Sequence, residues 1–147
     1  MMRIYIDEFD ENSIAWGSDS GYLIKFRSDL TCGYALLVAD HSVSPALRGR
    51  EIGVETTQRD VIEVRRLLPE EPRAYRLTPQ PEAGDYEAVG NIDAETLDGG
   101  DGFDSLYVSV GDARFVWTTQ DISRGVIKPG DWIDFKVIGL TLWDTNT

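Results

Sequence analysis

The chain contains one histidine and one cysteine, two residue types that often act as base, nucleophile or metal ligand. His41 lies in the run Asp40-His41-Ser42, and Cys32 comes earlier, in an apolar run. Adjacent residues of a strand point to opposite faces, so this run cannot by itself form a catalytic triad. We expect His41 to be a surface or capping residue and Cys32 to be a buried, inert thiol. The sequence therefore predicts no catalytic residue and no enzyme.

Carboxylates are the second chemical resource, because 26 residues are Asp or Glu. Asp98, Asp101 and Asp104 lie on or beside a glycine-rich segment, where their oxygens could be offered to Ca²⁺. Their spacing does not match an EF-hand loop, so we expect a solvated acidic loop without a metal. One histidine and one cysteine exclude the usual zinc and copper sites, and no phosphate-binding motif is present. We predict no cofactor, while a carboxylate-based or metal-assisted hydrolase stays an alternative.

The charge of the chain is unevenly distributed. The chain has 26 acidic and 14 basic residues, which gives a net charge of −12. Residues 82–113 contain nine acidic residues and no basic one. Such a surface repels nucleic acid and anionic membranes and attracts a basic protein. The alternative is that this charge serves only solubility. The residues predicted to contact a basic partner are Glu95, Asp98, Asp101, Asp104, Asp112 and, as an exposed aromatic, Trp132.

Arginine and aromatic side chains support a different interpretation. Seven arginines lie between residues 48 and 76, where six acidic residues are interleaved with them. Trp117 and Trp132 could stack on bases or on a small ligand, as exposed aromatics do in OB-like barrels. Such binding needs a cationic groove, which the neighbouring acids weaken, and core packing also accounts for these aromatics. Binding of a small ligand or single-stranded nucleic acid therefore stays an alternative, and our main prediction includes no nucleic acid.

The elements that position these residues are short, rich in β-branched and aromatic residues, and separated by turn signals, which predicts an all-β fold. The segment 22–26 alternates in polarity, so one of its faces is expected to be wet, whereas 31–39 reads as a central buried strand. Residues 42–49 read as a loop or a single helical turn. The predicted strands are 3–6, 13–16, 22–26, 31–39, 86–97 (a pair or one bent strand), 106–110, 114–117 and 132–143.

Residues 57–68 are ambiguous between two kinds of element. Thr57 and Asp60 resemble a capping box, and Val61, Val64 and Leu68 have helical spacing. Against a helix, several residues of this segment are β-branched and therefore stiff. We favour strands here, with one short helix as the alternative.

The last strand contains a glycine where its alternation changes phase. Ile133, Phe135 and Val137 alternate with polar or amphipathic residues, and after Gly139 the apolar positions become Leu140 and Leu142. A glycine at a phase change predicts a bulge or a bend that closes a barrel. The segment 128–143 resembles the entry into a long strand of small β-barrels, including OB-like ones, which implies a barrel and no particular function.

With 147 residues, the chain has the length of one ordinary domain. We predict a single β-rich domain over 1–147, a small barrel or sandwich built from two β-rich halves. The proline- and glycine-rich segment 78–85 is the candidate internal boundary. Because no apolar run is long enough for a membrane span and the N-terminus does not resemble a signal peptide, we expect a cytoplasmic protein.

We rank three candidate functions by how well these observations support them. The first is a non-catalytic, acidic module that docks a basic protein partner, of immunity, inhibitor or adaptor type. The second is an OB-like barrel for a small ligand or single-stranded nucleic acid, and the third is the hydrolase. The oligomeric state stays open, and a homodimer is compatible with the sequence.

Overall fold

A computed structural model describes residues 1–10, 21–38, 48–93, 104–122 and 124–145 of the protein. Within these residues the chain forms strands and no helix, so the predicted all-β fold is confirmed, and no helix there could cross a membrane. The strands are β1 (Met2–Phe9), β2 (Gly21–Arg27), β3 (Cys32–Val38), β4 (Glu51–Thr57), β5 (Asp60–Arg66), β6 (Arg76–Pro79), β7 (Tyr86–Ile92), β8 (Asp104–Val110), β9 (Ala113–Thr119), β10 (Trp132–Ile138) and β11 (Thr141–Asp144).

Five strands close into a small barrel in the order β1-β2-β3-β11-β4, with β4 pairing back to β1. Neighbouring strands are antiparallel except β3 and β11, which run parallel. Alternation decides which side chains fill the barrel: in β1, Met2, Ile4 and Ile6 are buried, whereas Arg3 and Tyr5 are exposed. The barrel therefore has a packed interior and an outer surface formed by every second residue.

The remaining six strands form a second sheet with the order β5-β10-β7-β8-β9. One edge of β7 is shared, because its first half pairs with β6 and its last residues pair with β8. In β8 the residues alternate strictly between buried and half-buried, and Leu106, Val108 and Val110 enter the core. This alternation is typical of a sheet with one face packed and one face wet.

The ambiguous segment 57–68 contains a strand, β5, and the helical alternative is wrong. The pairing of β5 with β10 shifts by one residue, so that Glu63 and Val64 both stand opposite Phe135. Glu63 takes up the extra residue with a positive φ of 55°, which makes this a β-bulge. The β-branched residues that disfavour a helix are therefore accommodated by an irregular edge strand.

The chain passes from the barrel to the second sheet at 58–59 and returns at Gly139. Gly139 has a φ of 67°, and after it β11 inserts between β3 and β4. The predicted barrel-closing bend at this glycine is confirmed. Segment 78–85, our candidate boundary, contains the hairpin connection between β6 and β7, which pair with each other within one sheet.

Side chains from both sheets form one hydrophobic cluster. Tyr86 of β7 packs its ring 6.4 Å from that of Phe26, and its hydroxyl donates a 2.7 Å hydrogen bond to the carbonyl of Tyr34. On another side, Thr56 of β4 donates to the carbonyl of Arg114 in β9 at 2.8 Å. The barrel and the second sheet are thus joined by apolar packing and by hydrogen bonds.

Two expectations for the region around β3 are corrected. Cys32 is exposed, because it lies at the start of β3 on the outer face of the barrel. Burial is continuous only from Ala35 to Val38, and within this stretch Leu36–Val38 pair with β11. The strand predicted at 13–16, His41 and most of the loop at 42–49 lie outside the described residues.

Candidate functional site

The predicted partner-binding residues do not all lie on a described surface. Glu95, Asp98 and Asp101 fall outside the described residues. Asp104 begins β8 with an exposure of 0%. A fully buried carboxylate cannot contact a partner, so the prediction that Asp104 is a contact residue is wrong.

Asp112 and Trp132 lie on different strands of the second sheet, and Asp112 lies beside the barrel, where it lines a recess with residues 28–30. Asp112 is exposed in the two-residue turn between β8 and β9, where Val110 pairs with Ala113. Trp132 opens β10 opposite Asn91 of β7, which in turn pairs with Ser109 of β8. Two strand pairings therefore separate Trp132 from the hairpin that carries Asp112.

Trp132 is half-buried because the chain covers it. The ring of Tyr75 packs on the indole with centroids 5.0 Å apart. Tyr75 ends the connection 67–75 between β5 and β6, which we call the strap. The guanidinium of Arg73 donates hydrogen bonds to three carbonyls within it, those of Leu68, Pro69 and Glu71.

An ion-pair network fastens the strap to the sheet. Arg65 of β5 donates to Glu71 at 2.6 Å and also to Asp134 of β10 at 2.9 Å. Hydrogen bonds from Arg65 and from the Leu68 amide lower the pKa of Glu71 to about 2. Burial raises the pKa of Asp134, against the opposing effect of Arg65. The network therefore holds a carboxylate of the strap in its charged form.

Many of the chain's cations are held by its own carboxylates. The ion pairs are Arg3 with Glu51, Arg27 with Asp7, Arg65 with Glu71 and Asp134, Arg66 with Asp131, Arg114 with Asp93, and Lys136 with Glu63. These pairs are largely exposed and add little stability. They do neutralise arginines that would otherwise attract anions, so the acidic excess dominates the surface field.

Two recesses lie side by side on the outer face of the barrel. The first has a volume of about 320 Å³ and is lined by residues 8–10 of β1 and its extension, 23–25 of β2, and Tyr34. The second has a volume of about 260 Å³ and lies between Lys25, residues 32–34 of β3 and the connection 79–86. Lys25 and Tyr34 line both recesses and stand opposite each other on β2 and β3, so they form a ridge between them.

Hydrogen bonds hold the outer wall of the second recess in place. The amide of Gln80 donates to the carbonyl of Asp85 at 2.9 Å, and the amide of Leu140 donates to the carbonyl of Gly84 at 2.8 Å. The carboxylate of Asp85 accepts the amide of Gly139 at 3.1 Å. The wall is therefore attached to the bend at which the chain returns to the barrel.

Carboxylates outnumber cations around the two recesses. Glu8 and Asp10 line the first, Glu82 and Asp85 line the second, and Lys25 is the cation common to both. Glu8 and Glu82 take part in none of the ion pairs above. Apolar surface comes from Tyr34, which is 42% exposed, together with Pro79 and Pro81. This combination suits a ligand with both cationic and apolar groups.

Local sequence patterns do not indicate these recesses. Of their charged residues, Glu82 and Asp85 belong to the acidic region 82–113, but neither was selected as a contact residue. The alternation in 22–26 indicates a solvent-exposed face that includes Lys25. The same alternation in 32–36 predicts that Tyr34 is exposed. What alternation could not reveal is that 79–86 lies beside this face.

The described residues contain no group of three or more His, Cys, Asp or Glu side chains able to hold a metal ion. No protein-family model matches the chain, and neither a curated protein nor a solved structure is significantly similar to it. The proposals below therefore depend on the geometry and charge of the protein alone.

Proposed function

We propose that the protein is a non-catalytic binding module, of immunity, inhibitor or adaptor type, that docks a basic protein partner through the two recesses on its barrel. The observation that carries this proposal is the excess of carboxylates around the recesses: among their described lining residues, Glu8, Asp10, Glu82 and Asp85 stand against one cation, Lys25. The recesses also offer apolar surface at Tyr34 and the prolines, which a partner would bury.

Electrostatics supports a basic partner over an acidic one. The whole chain carries a net charge of −12, and several of its arginines pair with its own acids. A basic protein is therefore steered toward this molecule at long range, and the rate of association falls as salt screens the charges. Asp112 and Trp132 stay predicted contacts outside the two recesses.

The test compares the wild-type protein with two double variants of equal charge. Glu8→Gln with Glu82→Gln removes one carboxylate from each recess, whereas Asp29→Asn with Glu55→Gln removes two exposed carboxylates elsewhere. Each immobilised protein is incubated with lysate of the organism that encodes it. A captured protein is then purified, and its Kd is measured as a function of salt.

We expect wild type and the control variant to retain one basic protein in stoichiometric amount, and the recess variant to lose it. The Kd should rise by about tenfold or more on removal of the two carboxylates, since each charged contact across an interface contributes appreciably. Equal capture by all three proteins, or a partner that is acidic, would count against the proposal, and so would empty eluates at low salt.

A second candidate is favoured by the topology of the barrel. Its order β1-β2-β3-β11-β4, with the third and fifth strands parallel, corresponds to that of OB-like barrels, which bind ligands on the face of their second and third strands. Tyr34 and Lys25 lie on that face. Titration with single-stranded oligothymidine at low salt discriminates the candidates, because binding that is lost in Lys25→Ala would support the OB-like function.

A further inference from the structure

The ridge formed by Lys25 and Tyr34 divides the acidic surface into two parts. Each part has its own carboxylates: Glu8 and Asp10 on one side, Glu82 and Asp85 on the other. The ridge itself carries a positive charge next to an exposed aromatic ring. A ligand that crosses it therefore meets negative, positive and again negative potential in succession.

This succession is decided by strand pairing. Glu8 pairs with Lys25 across β1 and β2, and Lys25 pairs with Tyr34 across β2 and β3, so the three residues form one row. Neighbouring strands are about 4.8 Å apart, which puts Glu8 about 10 Å from Tyr34 along the row. An extended segment advances about 3.3 Å per residue, so about three residues cover that distance.

We propose that the recesses recognise an extended segment of the basic partner, with cationic side chains in both recesses and an uncharged residue over the ridge. This inference rests on the proposed function and adds the pattern of charge that the site selects. Lys25 acts as the specificity-determining residue, because its ammonium repels a cation placed over Tyr34 while Glu8 and Glu82 attract those on either side.

The experiment uses two fluorescein-labelled peptides of identical composition. In the flanking peptide a pair of lysines stands at each end of an uncharged, apolar centre, and in the central peptide all the lysines stand together in the middle. Their net charges are equal, so non-specific attraction to an acidic protein affects both alike. Binding is followed by fluorescence anisotropy at low ionic strength.

For the wild-type protein we expect the flanking peptide to bind about tenfold more tightly than the central peptide. In Lys25→Ala the repulsion at the ridge is gone, so this ratio should fall to about threefold or less. The matched control is Lys128→Ala, which removes an exposed lysine from a turn remote from both recesses and should preserve the wild-type ratio.

The outcomes separate the inference from the proposed function. Equal binding of the two peptides by wild type overturns the proposed charge pattern. The proposed function still stands in that case if the double variant Glu8→Gln with Glu82→Gln binds both peptides more weakly. An unchanged ratio in Lys25→Ala also overturns the role of Lys25. Failure of wild type to bind either peptide contradicts both the pattern and the use of these recesses for a basic partner.

Discussion

At the scale of single residues, a glycine of the barrel leaves room for a hydrogen bond that connects the two sheets. Gly33 lies directly beneath the Tyr86 hydroxyl, where a Cβ would clash with that oxygen. Because Gly33 has no Cβ, the hydroxyl reaches the carbonyl of Tyr34 at 2.7 Å. Burial raises the pKa of Tyr86 above its ordinary value, so the phenol stays protonated and continues to donate at alkaline pH.

We predict that Gly33→Ala lowers the free energy of unfolding by about 1–3 kcal/mol, the usual range for overpacking. Tyr86→Phe should lower it by about 1–3 kcal/mol, because the carbonyl of Tyr34 loses a buried donor. Urea unfolding followed by tryptophan fluorescence measures both changes.

The double variant gives the sharper result. Without the hydroxyl, Gly33→Ala should cost less in the Tyr86→Phe background than in wild type, since contacting residues are not additive. Tyr75→Phe, which alters a partly exposed tyrosine, is the control and should change stability by less than about 0.5 kcal/mol. Additive costs for Gly33 and Tyr86 would show that the close approach is unimportant.

At the scale of elements, the strap explains why a predicted contact residue is half-buried. Trp132 alternates outward from the core, as expected from Ile133 and Phe135, yet Tyr75 of the strap packs on it. The bidentate contact of Arg65 with Glu71 fixes the other end of the strap to β5. A partner would therefore have to displace this segment of the chain before it could contact the whole indole.

Because the ionised Glu71 fastens the strap, we predict that the free energy of unfolding depends on pH in the acidic range. The pKa of Glu71 is lowered to about 2 in the folded protein, against about 4.3 for an ordinary glutamate. A lowered pKa stabilises the fold above the unfolded value, and this contribution disappears as the pH falls from about 4.3 toward 2. Glu71→Gln should therefore be less stable than wild type at pH 7, with a difference that shrinks over that acidic range.

Thermal unfolding at a series of pH values, followed by the fluorescence of Trp132 and the other tryptophans, measures this difference. The control is Glu70→Gln, which makes the same change at the neighbouring exposed residue and should follow the wild-type curve. A constant difference between Glu71→Gln and wild type down to pH 2 would mean that the charge of Glu71 does not fasten the strap.

At the scale of the whole molecule, the barrel is completed by the end of the chain. β11 is the last strand, and it lies between β3 and β4, which are formed by the first 57 residues. All six strands of the second sheet are therefore inserted between the fourth and fifth strands of the barrel. Closure of the barrel requires contacts distant in sequence, and the two sheets share one apolar cluster.

We predict that a chain ending at Ile138 loses its cooperative unfolding transition. It lacks Leu140 and Leu142, which are fully buried, and leaves edges of β3 and β4 unpaired. A chain ending at Thr145 is the control and should unfold like wild type. Far- and near-ultraviolet circular dichroism in urea report the transition, and a cooperative, native-like curve for the shorter chain would refute this dependence.

The sequence by itself determined the local features of the protein. The all-β class, the strands at 106–110 and 114–117 and the bend at Gly139 follow from side-chain size, alternation and the conformational freedom of glycine, which act between near neighbours in the chain. The same local patterns decided β5 against a helix. They also indicated a wet face on β2, although not what lies beside it.

Only the tertiary structure decided which distant residues meet. The recesses combine Glu8, Lys25, Tyr34 and Glu82, and Trp132 is covered by Tyr75, because strand order and register bring these positions together. Asp104 belongs to the acidic run of the sequence, yet it is buried at the start of a strand. Burial and pairing of this kind depend on contacts between strands far apart in the chain, and no periodicity within one segment specifies them.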